Sequence, residues 1–180
     1  MKPSKSRTVR LFLALWPDDV VRRQLHALQQ GWTWPPSAAL VSPDQLHLTL
    51  HFLGSVPIER QGEFASALAV ESAPVTLDLR TAQPRVWPGG VAVLEIAPTP
   101  ALLRLHASLA GAISGLGWPL EGRRYRAHVT LARKAGGAQP PEGETATVPA
   151  EWRAGSTYAL VRSIPGQGYE AIRRYGHGDS

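Results

Sequence analysis

The sequence predicts an α+β fold with mostly antiparallel sheets, and three observations carry that prediction. Strand-like and helix-like segments interleave without the regular strand–helix–strand rhythm of a doubly wound parallel sheet. The 180 residues are 43% hydrophobic, enough to bury a sizeable core in one domain spanning 1–180. A His-apolar-Thr-Leu segment occurs twice, beginning at His47 and again 81 positions later at His128, each time after a helix and a loop.

Thr8 to Trp16 is short, apolar and ended by Pro17, as a buried strand would be. Asp18 or Asp19 then caps a helix to about Gln30, with Val20, Val21, Leu25 and Leu28 as its apolar stripe. Trp32 to Pro36 reads as a turn. Leu46 to Leu53 alternates in strand formers and Gly54 ends it. Pro57 suits the first turn of a second helix to about Glu71, carrying Ile58, Phe64, Leu68 and Val70. Val75 to Arg80 reads as a strand, and Arg85–Trp87 with Val91–Ile96 as a hairpin around Pro88, Gly89 and Gly90.

Thr99 caps a third helix to about Leu116, striped by Leu102, Leu103, Leu105, Leu109 and Ile113. Arg126 to Arg133 is again a strand, and Lys134 to Glu144 a loop rich in Gly and Pro. Thr145–Arg153, Ser156–Ser163 and Tyr169–Tyr175 close the chain as strands, followed by a fraying tail.

Composition narrows the function classes. With no cysteine, disulfides and thiolate metal sites are excluded, which is compatible with a reducing cytoplasm. A net charge of +5 favours a polyanionic partner, and Arg123, Arg124, Arg126, Arg133 and Lys134 bracket the second motif, as Lys2, Lys5, Arg7 and Arg10 crowd the start. The opening segment fails as a signal peptide, because Arg10 breaks its apolar run and no small-residue cleavage site follows. No run reaches the roughly 20 apolar residues of a membrane span.

Strand alternation sends His47 and Thr49 to one face, and Leu48 and Leu50 to the other. His128 and Thr130 share a face likewise, with Val129 and Leu131 opposite. If a pseudo-twofold relates the halves, the two polar faces converge on one cleft. A pair of imidazoles there suits acid–base chemistry near neutral pH, one neutral and one protonated. Opening a phosphodiester needs that pair, and each Thr hydroxyl can donate to a phosphoryl oxygen. The scheme needs no metal. A single His-x-Thr in a strand is common; the matched pair amid basic residues is the informative signal.

Arg10 to Pro17, the His47-Leu-Thr-Leu-His-Phe-Leu-Gly54 and His128-Val-Thr-Leu-Ala-Arg133 segments, and Leu160 to Ser163 followed by Tyr169 resemble the two-histidine (2H) phosphoesterases. Within these the resemblance is to the RNA 2′,3′-cyclic phosphodiesterases, also called 2′-5′ RNA ligases, and it covers nearly the whole chain. It implies two pseudo-twofold-related lobes with antiparallel sheets around a central cleft and helices on the outer faces. It implies a reaction without a metal; the chain is expected to be a cytoplasmic monomer that needs no cofactor. Its partner would be RNA with cyclic-phosphate ends, tRNA fragments among them. The activity implied is hydrolysis to a 2′-phosphate, with a weak reversible 2′-5′ joining.

Carried over, His47 is the acid and His128 the base, labels that the two near-identical motifs do not supply themselves. Thr49 and Thr130 would hold the phosphate. Arg133 is a candidate phosphate contact, although ideal alternation puts it opposite His128. Lys134 is a further basic candidate. His51 stands where a basic residue is frequent, on the expected face of His47. Ala127 replaces a usual Pro. Phe52, Tyr125, Trp87 and Trp118 are candidates for stacking a base. His47 and His51 are four apart, but their strand setting and the lack of a carboxylate argue against a metal site. His26 and His106 fall in helices and are expected at the surface or core edge, and His177, in the tail, is expected to be inert. Two other functions fit the residues: cleavage of a small cyclic phosphate, or RNA binding without turnover.

Overall fold

A computed structural model describes residues 6–142 and 151–176. β1 (Thr8–Leu15) leads through Pro17 to α1 (Asp19–Gln30), and the Asp18 carboxylate accepts from the Val21 N–H at 2.8 Å, satisfying one open donor of the first turn. Two short elements that the sequence did not announce follow: β2 (Ala39–Leu40) and a 3₁₀ turn at Pro43–Gln45. β3 (Leu48–Pro57) is succeeded by a 3₁₀ turn at Ile58–Arg60 and by α2 (Gln61–Ala67). Then come β4 (Val75–Asp78), a 3₁₀ turn at Leu79–Thr81, and the hairpin of β5 (Gln83–Trp87) and β6 (Val91–Glu95). α3 (Pro100–Gly115) is capped by Thr99 as expected, and β7 (His128–Arg133), β8 (Glu151–Gly155), β9 (Tyr158–Ile164) and β10 (Gly168–Tyr175) complete the order.

All the paired strands are antiparallel, as the α+β reading expected. One sheet runs β10-β9-β1-β3-β7-β6-β5, with β2 alongside β7, and β4 pairs with β8 in a second small sheet. β3 and β7 meet through a single residue pair, Leu48 with Val129. That pair is the seam between two halves, β10-β9-β1-β3 and β7-β6-β5. On the helix side of the sheet, Leu11, Leu13, Leu15, Leu48, Leu50, Val129 and Leu131 join Val21, Leu25, Leu102, Leu105 and Leu109 in one core. Each such side chain contributes on the order of 1.5–3 kcal/mol by leaving water. The other face carries the small cluster of Phe12, Ala14, Ala159 and Val161.

Several boundaries differ from the expected ones, each for a local reason. β3 does not stop at Gly54. The pairs Leu11–Gly54 and Phe12–Phe52 leave Leu53 without an opposite residue, and Gly54 absorbs that bulge at φ +75°. The second helix ends at Ala67 and not near Glu71. There the Tyr158 hydroxyl donates to the Leu68 carbonyl at 2.7 Å and accepts from the Val70 N–H at 2.8 Å, drawing the chain out of the helix. The Val75–Arg80 strand stops at Asp78, whose carboxylate accepts from the Arg80 N–H. β7 starts at His128, two residues later than expected. On α1, Val20 is 51% exposed, and Gln29 takes the buried stripe position, 1% exposed, four residues beyond Leu25. Leu103 of the expected α3 stripe is exposed. The expected Thr145–Arg153 strand is observed from Glu151; its earlier part, His177, Lys2 and Lys5 lie outside the described residues. No helix of the described residues is long and apolar enough to cross a membrane.

Candidate active site

The Leu48–Val129 pair places the two motifs side by side at the seam. Both histidines are anchored in the same way. His47 Nδ1 lies 2.6 Å from the Gln45 carbonyl oxygen, and His128 Nδ1 lies 2.7 Å from that of Arg126, each two residues upstream. A carbonyl oxygen can only accept, so each Nδ1 carries its proton and each Nε2 is the nitrogen left for chemistry. His47 Nε2 is 3.1 Å from Thr49 Oγ1, whereas His128 Nε2 has no protein partner among the described residues.

The surroundings differ more than the anchors. The His47 ring stacks on Trp16 (5.0 Å between centroids, 7°) and on Phe12 (5.0 Å, 29°), with Tyr169 edge-on at 5.4 Å. The His128 ring leans on Trp87 at 4.4 Å. The Arg126 guanidinium covers that indole at 4.6 Å and pairs with Glu95 at 2.7 Å, and Arg85 meets the same carboxylate at 3.3 Å. Both histidines and both threonines line a cavity of about 1120 Å³ together with Arg10, Arg123, Arg124, Arg126 and Arg133, against one carboxylate, Glu121. An anion entering it meets a strongly positive field.

A β-bulge follows each motif at the same offset. The β1–β3 register jumps from Leu13–His51 to Ala14–Thr49, and the β6–β7 register from Ala92–Ala132 to Val93–Thr130. Leu50 and Leu131, each three residues after its histidine, are the extra residues. Two consecutive residues are therefore buried in each strand, Leu50 with His51 and Leu131 with Ala132, and the next side chain is turned to the cleft. That side chain is Phe52 in one motif and Arg133 in the other.

A family model described as the 2′-5′ RNA ligase superfamily matches residues 17–163. The chain belongs to this superfamily. It is 31% identical over 180 residues to a protein of Thermus thermophilus named RNA 2′,3′-cyclic phosphodiesterase, covering 86% of this chain and 82% of that one. A protein of the same name from Geobacillus stearothermophilus is 35% identical over 120 residues, covering 61% of this chain but only 36% of the Geobacillus protein. The crystal structure of E. coli LigT in apo form is similar over 94% of this chain and 97% of its own, with a TM-score of 0.74 and 26% identity.

As a superfamily member, the chain brings together His47, Thr49, His128, Thr130, Phe52 and Arg133. The bulge at Leu131 removes the objection that alternation raised against Arg133. Phe52 is 40% exposed, with the Arg10 guanidinium 5.3 Å from its ring. The other candidates are placed differently. His51 lines the wall of the cleft but is largely buried after the bulge at Leu50: its Nε2 lies 2.8 Å from the His106 carbonyl, and its ring stacks on His106 at 4.0 Å. Tyr125 lines the cleft, but its hydroxyl donates to the Thr49 carbonyl at 3.1 Å and its ring stacks on His106, so it supports the strand that carries Thr49. Lys134 turns away in the left-handed region (φ 51°) and is not among the cavity's lining residues. Trp118 donates to the Leu53 carbonyl beside Phe64, away from the cleft. Ala127 is buried and its carbonyl accepts from Ile96 N–H at 2.8 Å, which holds the entry to β7.

Sequence reasoning missed Phe12, Trp16 and Tyr169 as the walls around His47, and it missed Gln29. The signal for Gln29 was a polar residue at a stripe position. Gln29 Nε2 donates to the carbonyls of Val41 and Leu131, both at 2.8 Å, and its Oε1 lies 3.1 Å from His26 Nδ1. The Leu131 carbonyl belongs to the bulge that aims Arg133. Gln29→Leu is expected to cost about 1–3 kcal/mol in an unfolding titration, as removal of a buried polar partner does. In turnover assays its effect on kcat/KM should largely vanish in an Arg133→Ala background, because the two residues act through one bulge.

Burial shapes the protonation of both rings. Desolvation lowers the His47 pKa to about 4, against the opposing bond to the Gln45 carbonyl, with His128 and Arg133 adding like-charge repulsion. Desolvation also lowers His128, opposed by the Arg126 carbonyl and by Glu95. Burial therefore favours the neutral form of both rings.

Proposed function

We propose that this chain opens 2′,3′-cyclic phosphates at RNA ends to leave a 2′-phosphate, using His47 as acid and His128 as base. The carrying observation is the pair of imidazoles tethered through Nδ1, their Nε2 atoms left for one arginine-rich cleft. His128 Nε2 takes a proton from water as its oxygen attacks phosphorus. The bond from phosphorus to the 3′ oxygen breaks, and His47 Nε2 gives that oxygen its proton. Thr49, Thr130 and Arg133 donate to the non-bridging oxygens as charge builds on them. The rings around His47 fix its orientation toward the cleft, and its low pKa makes it a strong acid once the bound anion has charged it. The open Nε2 of His128 suits a base that must reach water. With a 5′-hydroxyl in place of water, the same transfers form a 2′-5′ bond, and they run backwards to break it. The relatives' shared name supports this reading.

A short RNA ending in a 2′,3′-cyclic phosphate, incubated in EDTA, should be converted to a 2′-phosphate end. A 3′-phosphate product would overturn the direction assigned to the two histidines. Conversion of only a small cyclic nucleotide would move the substrate class, and binding without turnover would leave an RNA-binding module.

The two pH profiles should separate. Both free-enzyme pKa values lie below 6.5, so the bell in kcat/KM should peak on the acid side of 6.5. A bound phosphate anion favours the charged imidazolium and raises both values. The kcat bell should therefore sit at higher pH than the kcat/KM bell. Coincident bells, or a shift to lower pH, would contradict the link between burial and protonation.

A further inference from the structure

A second cavity, of about 370 Å³, opens where the start of β1 meets the end of β9. Arg7, Arg10 and Arg162 line it with Ser55 and Ser163, and no carboxylate is among its lining residues. Arg162 has a loose partner, Glu170 at 3.8 Å. Arg7 and Arg10 have no carboxylate partner among the described residues. The groove adjoins the cleft at Arg10 and Ser163, which line both, and Arg162, opposite Leu11 in the β1–β9 register, reaches it from the helix side at the strand ends. These two residues are direct partners in the β1–β9 register, and Ser55 faces Arg10 from β3. The path from the chemistry is short. Phe12 stacks on His47, and Arg10 is the next residue on the same face of β1, about 7 Å further along the strand.

A terminal cyclic phosphate belongs to one RNA strand, and that strand must leave the cleft on one side. We propose that it leaves along this groove, and that Arg10, Arg162 and Arg7 hold successive backbone phosphates of the nucleotides preceding the reacting end. This rests on the RNA-end reading above and assigns where the body of the substrate binds. The recognition is by charge and hydroxyl donors and carries no base sequence. Arg7 and Arg162 lie outside the cleft, so their contribution should grow with RNA length.

The test compares wild type with the Arg7→Ala/Arg162→Ala double variant. A fluorescent octaribonucleotide ending in a 2′-phosphate is titrated at several salt concentrations, and turnover of a cyclic mononucleotide is measured in parallel. Each lost phosphate contact should flatten the log Kd against log salt slope by about 0.7, so the slope should fall by about 1.4, with about tenfold weaker binding at low salt. Arg7→Lys/Arg162→Lys should restore most of the slope, which a mere folding defect in the alanine variant would not predict. An unchanged slope and affinity would overturn the groove, as would an equal loss on the octamer and the mononucleotide. Failure of wild type to turn over the mononucleotide would count against the catalytic reading alone, since the octamer titration still decides the groove.

Discussion

His128→Ala and His47→Ala should each lower kcat for a cyclic-phosphate RNA end by about a hundredfold to ten-thousandfold, the usual contribution of a positioned acid or base. Neither ring is part of the hydrophobic core, and both are half-buried at the cleft, so the folded state should survive either change. The two variants should differ in kind. Loss of the base removes the acidic limb of the kcat/KM profile, and loss of the acid removes the alkaline limb. A substrate whose leaving oxygen is much less basic than a ribose hydroxyl needs little protonation, so it should rescue His47→Ala and leave His128→Ala slow. The reverse pattern would exchange the two roles. Because the residues act as a unit, the double variant should be hardly slower than the worse single one. Wild-type turnover by either single variant would end the two-histidine mechanism.

Thr49→Val and Thr130→Val should each cost about a hundredfold to a thousandfold in kcat, the scale for one donor to a developing oxyanion. Valine keeps the β-branched shape, so the strand should be undisturbed and only the hydroxyl lost. Thr49 carries a second duty, since its Oγ1 is 3.1 Å from His47 Nε2. Thr49→Val should therefore also change the pH profile, whereas Thr130→Val should lower its height and leave its shape. The serine variants should recover much of the activity in both cases, as they return the donor. A fall in KM-limited binding with kcat intact would show that the hydroxyls grip the ground state only.

The α+β class, the antiparallel pairing, the Asp18 and Thr99 caps, and the hairpin around Gly89 and Gly90 were legible, because each depends on residues close in sequence. So was the shared face of His47 with Thr49 and of His128 with Thr130. Strand alternation over two residues puts His and Thr on one face whatever the strand later pairs with. What failed lay further along the same strands. Alternation put His51 beside His47 and Arg133 opposite His128; the structure brings Arg133 to the cleft and leaves His51 at its wall but 7% exposed. The extra residues Leu50 and Leu131 arise from the registers of β1 against β3 and of β6 against β7.

By itself, then, the sequence determined the matched pair of His-x-Thr motifs, the arginine surplus and the absence of thiols. Tertiary structure alone decided that Phe52 and Arg133 enter the cleft, that Gln29 bonds to the bulge carbonyl, and that Arg10 links the cleft to a second groove. The physical reason is that side-chain direction within a few residues is set by backbone period, whereas a bulge depends on hydrogen bonds to a partner strand. That partner is distant in sequence: Leu13 lies opposite His51, and Gln29 reaches Leu131.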